Sequence, residues 1–148
     1  MKIDSEVIID ADRETVWAAF DDVENLSKWQ PTLTAFNHKS GPKGEPGSVA
    51  ELVYDENGRE IVLIERMTEK RRPDFMAGTY ESRWSKALVV NHFETVGDNQ
   101  TRWKSYANHN FSGLMRFFAI FVRNSICKRM EDDMQRFKLM VETEAAGS

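Results

Sequence analysis

The sequence predicts an α+β protein in which an antiparallel sheet of about seven strands lies against one long C-terminal helix. An apolar stripe in steps of three and four residues runs through residues 111–141 and is typical of a helix. Upstream, residues 33–111 alternate between polar and apolar, and turn signals recur about every ten residues, as in an antiparallel meander. One long helix over one such sheet is an economical packing.

Two short helices are predicted between a first strand and this sheet region. Residues 2–11 alternate as the first strand. Asp12 and Asp22 each suit a helix N-cap, because a carboxylate there accepts a hydrogen bond from a free backbone N–H. The second helix ends before Pro31, since the residue preceding a proline is pushed out of the helical region.

Six further strands are predicted downstream: residues 33–39, 49–55, 60–68, 75–83, 86–96 and 101–111. Among the connecting turns, the Asn57-Gly58 pair is the strongest hairpin signal. The basic run Lys70–Arg72 is interpreted as a solvated turn that closes on Pro73.

The long helix has about 30 residues and hence a length of ~45 Å. Its apolar stripe consists of Met115, Phe118, Val122, Ile126, Met130, Met134, Phe137 and Val141. Its first half carries more apolar residues than one buried face requires: Leu114, Phe117, Ile120 and Phe121. These additional apolar residues could line the mouth of a cavity or cover a partner in a homodimer. They could also contact a membrane transiently, and Arg116 and Arg123 would then lie near the headgroups.

Composition and charge limit the possible functions. With 148 residues the chain is expected to be one domain, residues 1–148, with a substantial core. The net charge of −4 argues against nucleic-acid binding, which requires a basic face. The longest apolar run, residues 117–122, is too short to cross a bilayer. The single cysteine, Cys127, and the lack of a secretion signal predict a cytoplasmic protein.

Alternation along the strands also predicts which side chains point toward the helix. On the last strand the charged residues Arg102 and Lys104 face water. Residues of opposite parity then point inward, here and by the same test on other strands: Leu52, Tyr54, Leu63, Glu65, Asn91, Phe93, Trp103, Ser105 and His109. The strand at residues 75–83 has no clear parity, which leaves Tyr80 and Trp84 unassigned.

The inward set contains more polar groups than a packed core tolerates: Tyr54, Glu65, Asn91, Ser105 and His109. Each buried polar group costs roughly 1–3 kcal/mol if it is unpaired, whereas ligand pockets are apolar with a few polar groups. The alternative explanation places these residues near strand ends, where backbone or water pairs with them. We predict an internal cavity, with Phe118 and Val122 of the helix completing the lining formed by the inward set.

His109 and Glu65 are the candidates for general acid–base chemistry. An imidazole titrates near neutrality, and burial raises the pKa of a carboxyl. A hydrogen-bonded structural role is the alternative for His109, and His38 and His92 are predicted to be exposed. Three histidines and one cysteine that are not clustered predict no metal site. Without a phosphate-binding glycine loop or a dinucleotide fingerprint, no cofactor is expected.

The N-terminal region resembles a known superfamily. The Val16-Trp17 pair and the segments DVENL and WQP, at residues 22–26 and 29–31, are similar to START, birch-pollen-allergen and polyketide cyclase/dehydrase proteins (SRPBCC), above all the polyketide cyclase-like branch. The resemblance implies a helix-grip fold, in which a curved antiparallel sheet wraps the C-terminal helix and two short helices support its end. It also implies a cavity for an apolar ligand between helix and sheet. The motif residues, Trp17 among them, are structural, so no catalytic residue carries over.

These expectations lead to one principal function and two alternatives. The principal prediction is a protein that binds a hydrophobic or aromatic small molecule, lipid or polyketide-like, and carries or shields it. The first alternative is a cyclase/dehydrase-type enzyme that uses His109 or Glu65 as general acid/base on an enolisable polyketide-like substrate. The second is a protein-interaction module that docks through the Phe117–Phe121 surface.

Overall fold

The predicted order of elements is confirmed. The computed structural model describes residues 1–147 of the 148-residue chain. Its strands are β1 (Lys2–Ile9), β2 (Leu33–Ser40), β3 (Val49–Glu56), β4 (Arg59–Arg71), β5 (Phe75–Glu81), β6 (Ser85–Gly97) and β7 (Gln100–Phe111). Its helices are α1 (Arg13–Asp21), α2 (Leu26–Trp29) and α3 (Met115–Ala146), with a 3₁₀ turn at Val23–Asn25 before α2.

Within the described residues, the seven strands form one antiparallel sheet in the order β1-β7-β6-β5-β4-β3-β2. Strands β2 to β7 form a meander, and β1 closes the far edge by pairing with β7. At the β3–β4 hairpin, Asn57 and Gly58 have φ angles of 56° and 81°, the positive values that a two-residue type I′ turn requires. The sheet curves around α3, as the helix-grip prediction requires.

The short helices begin and end where the capping signals predict. The Asp12 carboxylate caps α1 by accepting a hydrogen bond from the Thr15 backbone N–H at 3.2 Å. Asp22 caps the 3₁₀ turn that leads into α2. α2 ends at Trp29, before Pro31, as predicted. Both helices are therefore bounded by local interactions that the sequence specifies.

The long helix begins and ends later than predicted. β7 continues to Phe111, and Gly113, with a φ of 61°, turns the chain before α3 begins at Met115. The helix then runs to Ala146, beyond the predicted end at residue 141. None of the helices in the described residues combines the length and apolar character needed to cross a bilayer.

An aromatic cluster forms the core at one end of the sheet. Its rings come from α1, α2, β6, β7 and α3, and belong to Trp17, Phe20, Trp29, Phe93, Trp103 and Phe137. The ring centroids of Trp103 and Phe137 are 5.1 Å apart in an edge-to-face arrangement. Such aromatic pairs stabilise by about 0.5–1.5 kcal/mol beyond the burial of area. The Trp103 Nε1–H donates to Asn91 Oδ1 at 2.9 Å, so this buried indole is satisfied.

Only the C-terminal half of α3 is fixed to this core. The buried side chains of α3 all lie in that half: Met134, Phe137 and Val141. The Lys138 ammonium donates to the Ile8 carbonyl at 2.7 Å and ties the same half to β1. Residues 115–130 include no fully buried side chain. The first half of the helix therefore passes over the sheet without packing tightly against it.

The prediction of a solvated turn after β4 is wrong at Lys70, whose side chain is 2% exposed. Its Nζ donates to Asp21 Oδ1 at 2.7 Å and to the Gly44 carbonyl at 2.5 Å. Beside it, Arg72 Nη2 donates to Glu45 Oε1 at 2.7 Å. A buried ammonium persists because several oxygens surround it. These bonds tie β4 to the end of α1 and to the β2–β3 loop.

We expect Asp21→Ala to lower the free energy of unfolding by about 3 kcal/mol, because the buried Lys70 charge loses its nearest carboxylate. Urea unfolding monitored by circular dichroism measures the loss. Arg71→Gln is the matched control, since its pair with Glu69 is exposed and should contribute less than about 1 kcal/mol. Losses of equal size in the two variants would contradict a buried network.

Candidate functional site

A cavity of about 1710 Å³ lies between α3 and the concave face of the sheet. On the helix side, the apolar lining residues recur every four or seven positions: Met115, Val122, Ile126 and Met130. This spacing keeps them on one helical face. The cavity exists because α3 is fixed to the core only beyond Met130, so its first half crosses the sheet without filling the space below.

One row of cross-strand neighbours crosses the cavity wall. From β2 to β7 this transverse row consists of His38, Ala50, Glu65, Tyr80, Ala87 and His109. Directly paired residues on neighbouring antiparallel strands point to the same face, so the row faces the helix side of the sheet. The small side chains of Ala50 and Ala87 leave room between the polar members.

Glu65 and Tyr80 form a hydrogen-bonded pair on this wall. Tyr80 Oη donates to Glu65 Oε2 at 2.6 Å. Burial raises the pKa of the Glu65 carboxyl, an effect that the hydrogen bond only partly offsets. Tyr54 Oη donates to Gln30 Oε1 at 2.8 Å, and burial raises the pKa of both tyrosines. The wall thus presents neutral hydroxyl groups and a carboxyl that is more easily protonated than usual.

His109 lies apart from Glu65 in the transverse row. Tyr80 and Ala87 lie between them, which places the two groups three strand spacings, or about 14 Å, apart along the sheet. Burial and the nearby N-terminal amine lower the pKa of His109, so its imidazole is neutral at pH 7. The two groups do not share a proton directly, and each faces a different part of the cavity.

An ion pair joins α3 to the β3–β4 hairpin beside the cavity. Arg129 of the helix pairs with Glu56 at the end of β3. About two turns further along, Arg136 Nη1 donates to Asp133 Oδ1 at 3.0 Å. Burial raises the pKa of Asp133 to about 6, against the opposing effect of both arginines. The Arg129–Glu56 pair holds the middle of the helix against the sheet, whereas the Arg136–Asp133 bond lies within the helix.

Nine of the predicted site residues line the cavity: Leu52, Tyr54, Leu63, Glu65, Asn91, Trp103, Ser105, His109 and Val122. Alternation predicts the strand positions correctly because each strand keeps its parity where it crosses the concave face. Asn91 and Trp103 already bond to each other, so part of the polar lining is satisfied within the wall. A role for these residues in ligand binding stays a prediction.

The other two predicted residues, Phe93 and Phe118, are not part of the lining. Phe93 points inward as predicted, but it is only 2% exposed within the aromatic cluster. Its ring centroid is 4.9 Å from that of Phe20, which does line the cavity. Phe118 is 53% exposed, because it lies at the edge of the helical face whose centre is formed by Met115, Val122 and Ile126.

Sequence reasoning missed several lining residues, among them the polar residues Tyr80 and His38. Tyr80 lies opposite Glu65 in register, which is evident only once β5 is paired with β4. The prediction that His38 is exposed is wrong, since a bulge between Leu33 and Ala35 shifts the alternation on β2 and turns His38 inward. Its Nε2 has no hydrogen-bond partner among residues 1–147. Within the same residues, no three His, Cys, Asp or Glu side chains group closely enough to hold a metal ion.

The stability of the fold should fall as the pH rises through the pKa of Glu65. Because burial raises that pKa above its ordinary value of 4.5, folding favours the protonated carboxyl. The contribution is fully present below the unfolded-state pKa and is lost above the folded-state pKa. Urea unfolding across this range should show a smaller loss in Glu65→Gln than in the wild type, because only groups such as Asp133, whose pKa burial also raises, still contribute in the variant. The control Glu60→Gln, at an exposed position of the same strand, should keep the wild-type profile; equal slopes for all three proteins would contradict the assignment.

Comparisons with known proteins agree with this architecture. The sequence matches the family model described as polyketide cyclase/dehydrase and lipid transport over residues 1–142. No curated protein sequence matches it significantly. The structure is similar to TTHA0849 from Thermus thermophilus, with a TM-score of 0.82, 14% identity and 100% of each chain covered. It is also similar to the major latex-like protein 151 of Panax ginseng, with a TM-score of 0.75, 13% identity, and 95% of this chain and 96% of that chain covered.

A START superfamily protein from Mycobacterium smegmatis is a further match, with a TM-score of 0.69, 13% identity, and 97% of this chain and 95% of that chain covered. At such low identity, the structural matches show the fold alone. The family match covers nearly the whole chain and includes the segments that carry the resemblance. The chain therefore belongs to the polyketide cyclase/dehydrase and lipid transport family, and it has the helix-grip fold.

Proposed function

We propose that the protein binds a hydrophobic or aromatic small molecule in the cavity and carries or shields it. The observation that supports this most strongly is the cavity itself, about 1710 Å³ between α3 and the sheet. Its lining combines apolar side chains with polar groups that can orient a ligand, as ligand pockets do. The ligand-binding character of the family supports the same function. The single cysteine is compatible with the predicted cytoplasmic location.

The polar groups of the wall favour a neutral ligand with at least one oxygen atom. Because burial raises the pKa of Glu65, its carboxyl is more readily protonated than usual, and in that form it donates a hydrogen bond to a carbonyl or hydroxyl oxygen. Arg129, a cation in the lining, is already paired with Glu56. Tyr80 holds the carboxyl in place from the side. The apolar body of the ligand would then lie along Val122 and Ile126 of the helix. Lipid-like and polyketide-like molecules both have this chemistry.

We expect Ala87→Trp to weaken ligand binding more than about tenfold, because an indole at the centre of the transverse row occupies the space between Tyr80 and His109. Titration with the neutral fluorescent probe phenylnaphthylamine measures the change. Leu88→Trp is the matched control, since Leu88 is 42% exposed on the opposite face of the same strand.

A second variant, Ala107→Phe, fills the lining at another position and guards against misfolding of the first. Circular dichroism must show that each variant is folded. Probe binding that stays unchanged in both cavity variants, or that falls equally in the Leu88→Trp control, would contradict binding between helix and sheet.

An enzyme of the cyclase/dehydrase type is the second candidate, and the wall chemistry specifically favours it. The lowered pKa of His109 suits a general base, and the raised pKa of Glu65 suits a general acid. On a long enolisable substrate, His109 would remove a proton from a carbon, and the electron pair left on that carbon would attack a carbonyl carbon of the same molecule and close a ring. Glu65 would protonate the oxygen of the attacked carbonyl, and the resulting hydroxyl group would leave as water together with a second proton from the neighbouring carbon. The separation of about 14 Å requires an extended substrate rather than a single reacting carbon.

For the enzyme, we expect His109→Ala and Glu65→Gln each to reduce turnover of an enolisable polyketide-like substrate by about 10²–10⁴-fold, the usual contribution of a general acid or base. Product formation is measured by chromatography with mass detection. His92→Ala is the control, because His92 is exposed, as predicted, and lies outside the cavity. Full activity in both cavity variants would eliminate this candidate while leaving the carrier function intact.

A further inference from the structure

A group of large apolar side chains is exposed to solvent on the residue that precedes α3 and on the first half of the helix. These residues are between 53% and 76% exposed: Leu114, Phe117, Phe118, Ile120 and Phe121. We call them the α3 patch. A contiguous group of exposed apolar side chains is typical of an interaction surface, whereas single scattered ones are common on any protein. The core does not need them, because the inward face of the same turns belongs to Met115 and Val122.

A further exposed aromatic ring extends the α3 patch beyond the helix. Trp84, in the turn between β5 and β6, is 49% exposed. The backbone N–H of Ser112 donates to the Trp84 carbonyl at 2.9 Å, which holds this turn beside the start of α3. The Arg83 guanidinium lies over the Trp84 ring, 4.8 Å from its centroid. The indole is therefore held at the surface together with a cation.

The stretch of sequence that contains the α3 patch is basic. Residues 99–130 contain six basic residues and no acidic one, although the whole chain has a net charge of −4. Arg116 and Arg123, seven residues apart, lie along one side of the patch. Arg123 donates to the Lys2 carbonyl at 3.4 Å, and within residues 1–147 neither arginine has a carboxylate partner within ion-pair distance. This positive charge is left for an external anion.

We propose that the α3 patch, with Trp84, Arg116 and Arg123, docks onto the surface of an anionic lipid bilayer. Apolar rings flanked by uncompensated basic side chains are the features of helices that lie in the bilayer interface, with rings among the acyl chains and cations at the headgroups. Docking to a bilayer through the α3 patch does not depend on which ligand the cavity binds.

A second copy of the chain fits the α3 patch less well. A two-fold interface places the same surface on both sides, so Arg116 and Arg123 of each copy would approach those of the other. No acidic side chain of residues 99–130 would neutralise them. Like charges brought together across an interface are unfavourable, whereas anionic headgroups complement them.

Vesicle flotation tests the proposal, with phosphatidylcholine vesicles that contain phosphatidylserine compared with vesicles of phosphatidylcholine alone. We expect the protein to float with the anionic vesicles and to remain mostly in solution with the neutral ones. Trp84 gives a second readout, because Trp17, Trp29 and Trp103 are at most 4% exposed. Its emission should shift to the blue with anionic vesicles, and Trp84→Phe should remove the shift.

Variants test the apolar and the basic parts of this surface separately. Replacing Phe117 and Phe121 together by Asp should abolish flotation, and each of Arg116→Gln and Arg123→Gln should weaken binding to anionic vesicles about fivefold. Leu139→Asp is the matched control, because Leu139 is similarly exposed on the same helix but outside the α3 patch; it should bind as the wild type does.

Three results would overturn the proposal. One is a wild-type protein that does not float with anionic vesicles. Another is a loss of flotation in Leu139→Asp as large as that in the double Asp variant. The third is a dimer, or a complex with another protein, that the double Asp variant disrupts while the wild type shows no vesicle binding, which would assign the surface to a protein partner.

Discussion

The aromatic cluster around Trp103 holds α3 by one end, and the rest of the structure depends on this attachment. Phe137 enters the cluster from the helix, and Trp17 and Trp29 enter it from α1 and α2. Burial of apolar surface normally closes the space between a helix and a sheet. Here the rings occupy one end only, so residues 115–130 pass over a concave wall whose centre carries small side chains. The cavity is the space that this one-sided attachment leaves.

The wall of that space carries polar groups at separate points, and charged side chains such as Arg129 and Asp133 line it as well. Glu65 has a raised pKa and Tyr80 fixes its orientation, while His109 is neutral and lies three strands away. A bound molecule therefore meets hydrogen-bonding groups at two distant places, with apolar surface between them. For a carrier, this arrangement orients an elongated ligand without the desolvation cost of a buried ion pair. For an enzyme, it supplies an acid and a base that act on different atoms of the same substrate.

The fold and most of the cavity lining could be predicted because each strand obeys the same period-two rule independently. Phe93 and Phe118 mark the limit of that rule, since parity and helical spacing give the face of a side chain but not where α3 lies above the sheet. The inward turn of His38 depends on a β-bulge for which the sequence has no clear signal. Lys70 is buried because Asp21, 49 residues earlier, reaches it in the fold. The orientation of a side chain can be predicted from sequence when it depends on one helix or strand. It cannot be predicted when it depends on how elements distant in sequence pack together.

Native mass spectrometry of the protein, purified without added ligand, tests the central claim most directly. If the space between α3 and the sheet is a ligand site, the spectrum should show the chain together with a small organic molecule, and denaturation in organic solvent should release that molecule. Where the endogenous molecule is lost in purification, an added apolar molecule should be taken up at one per chain. A bare chain in every preparation, with no uptake of added apolar molecules, would contradict the account.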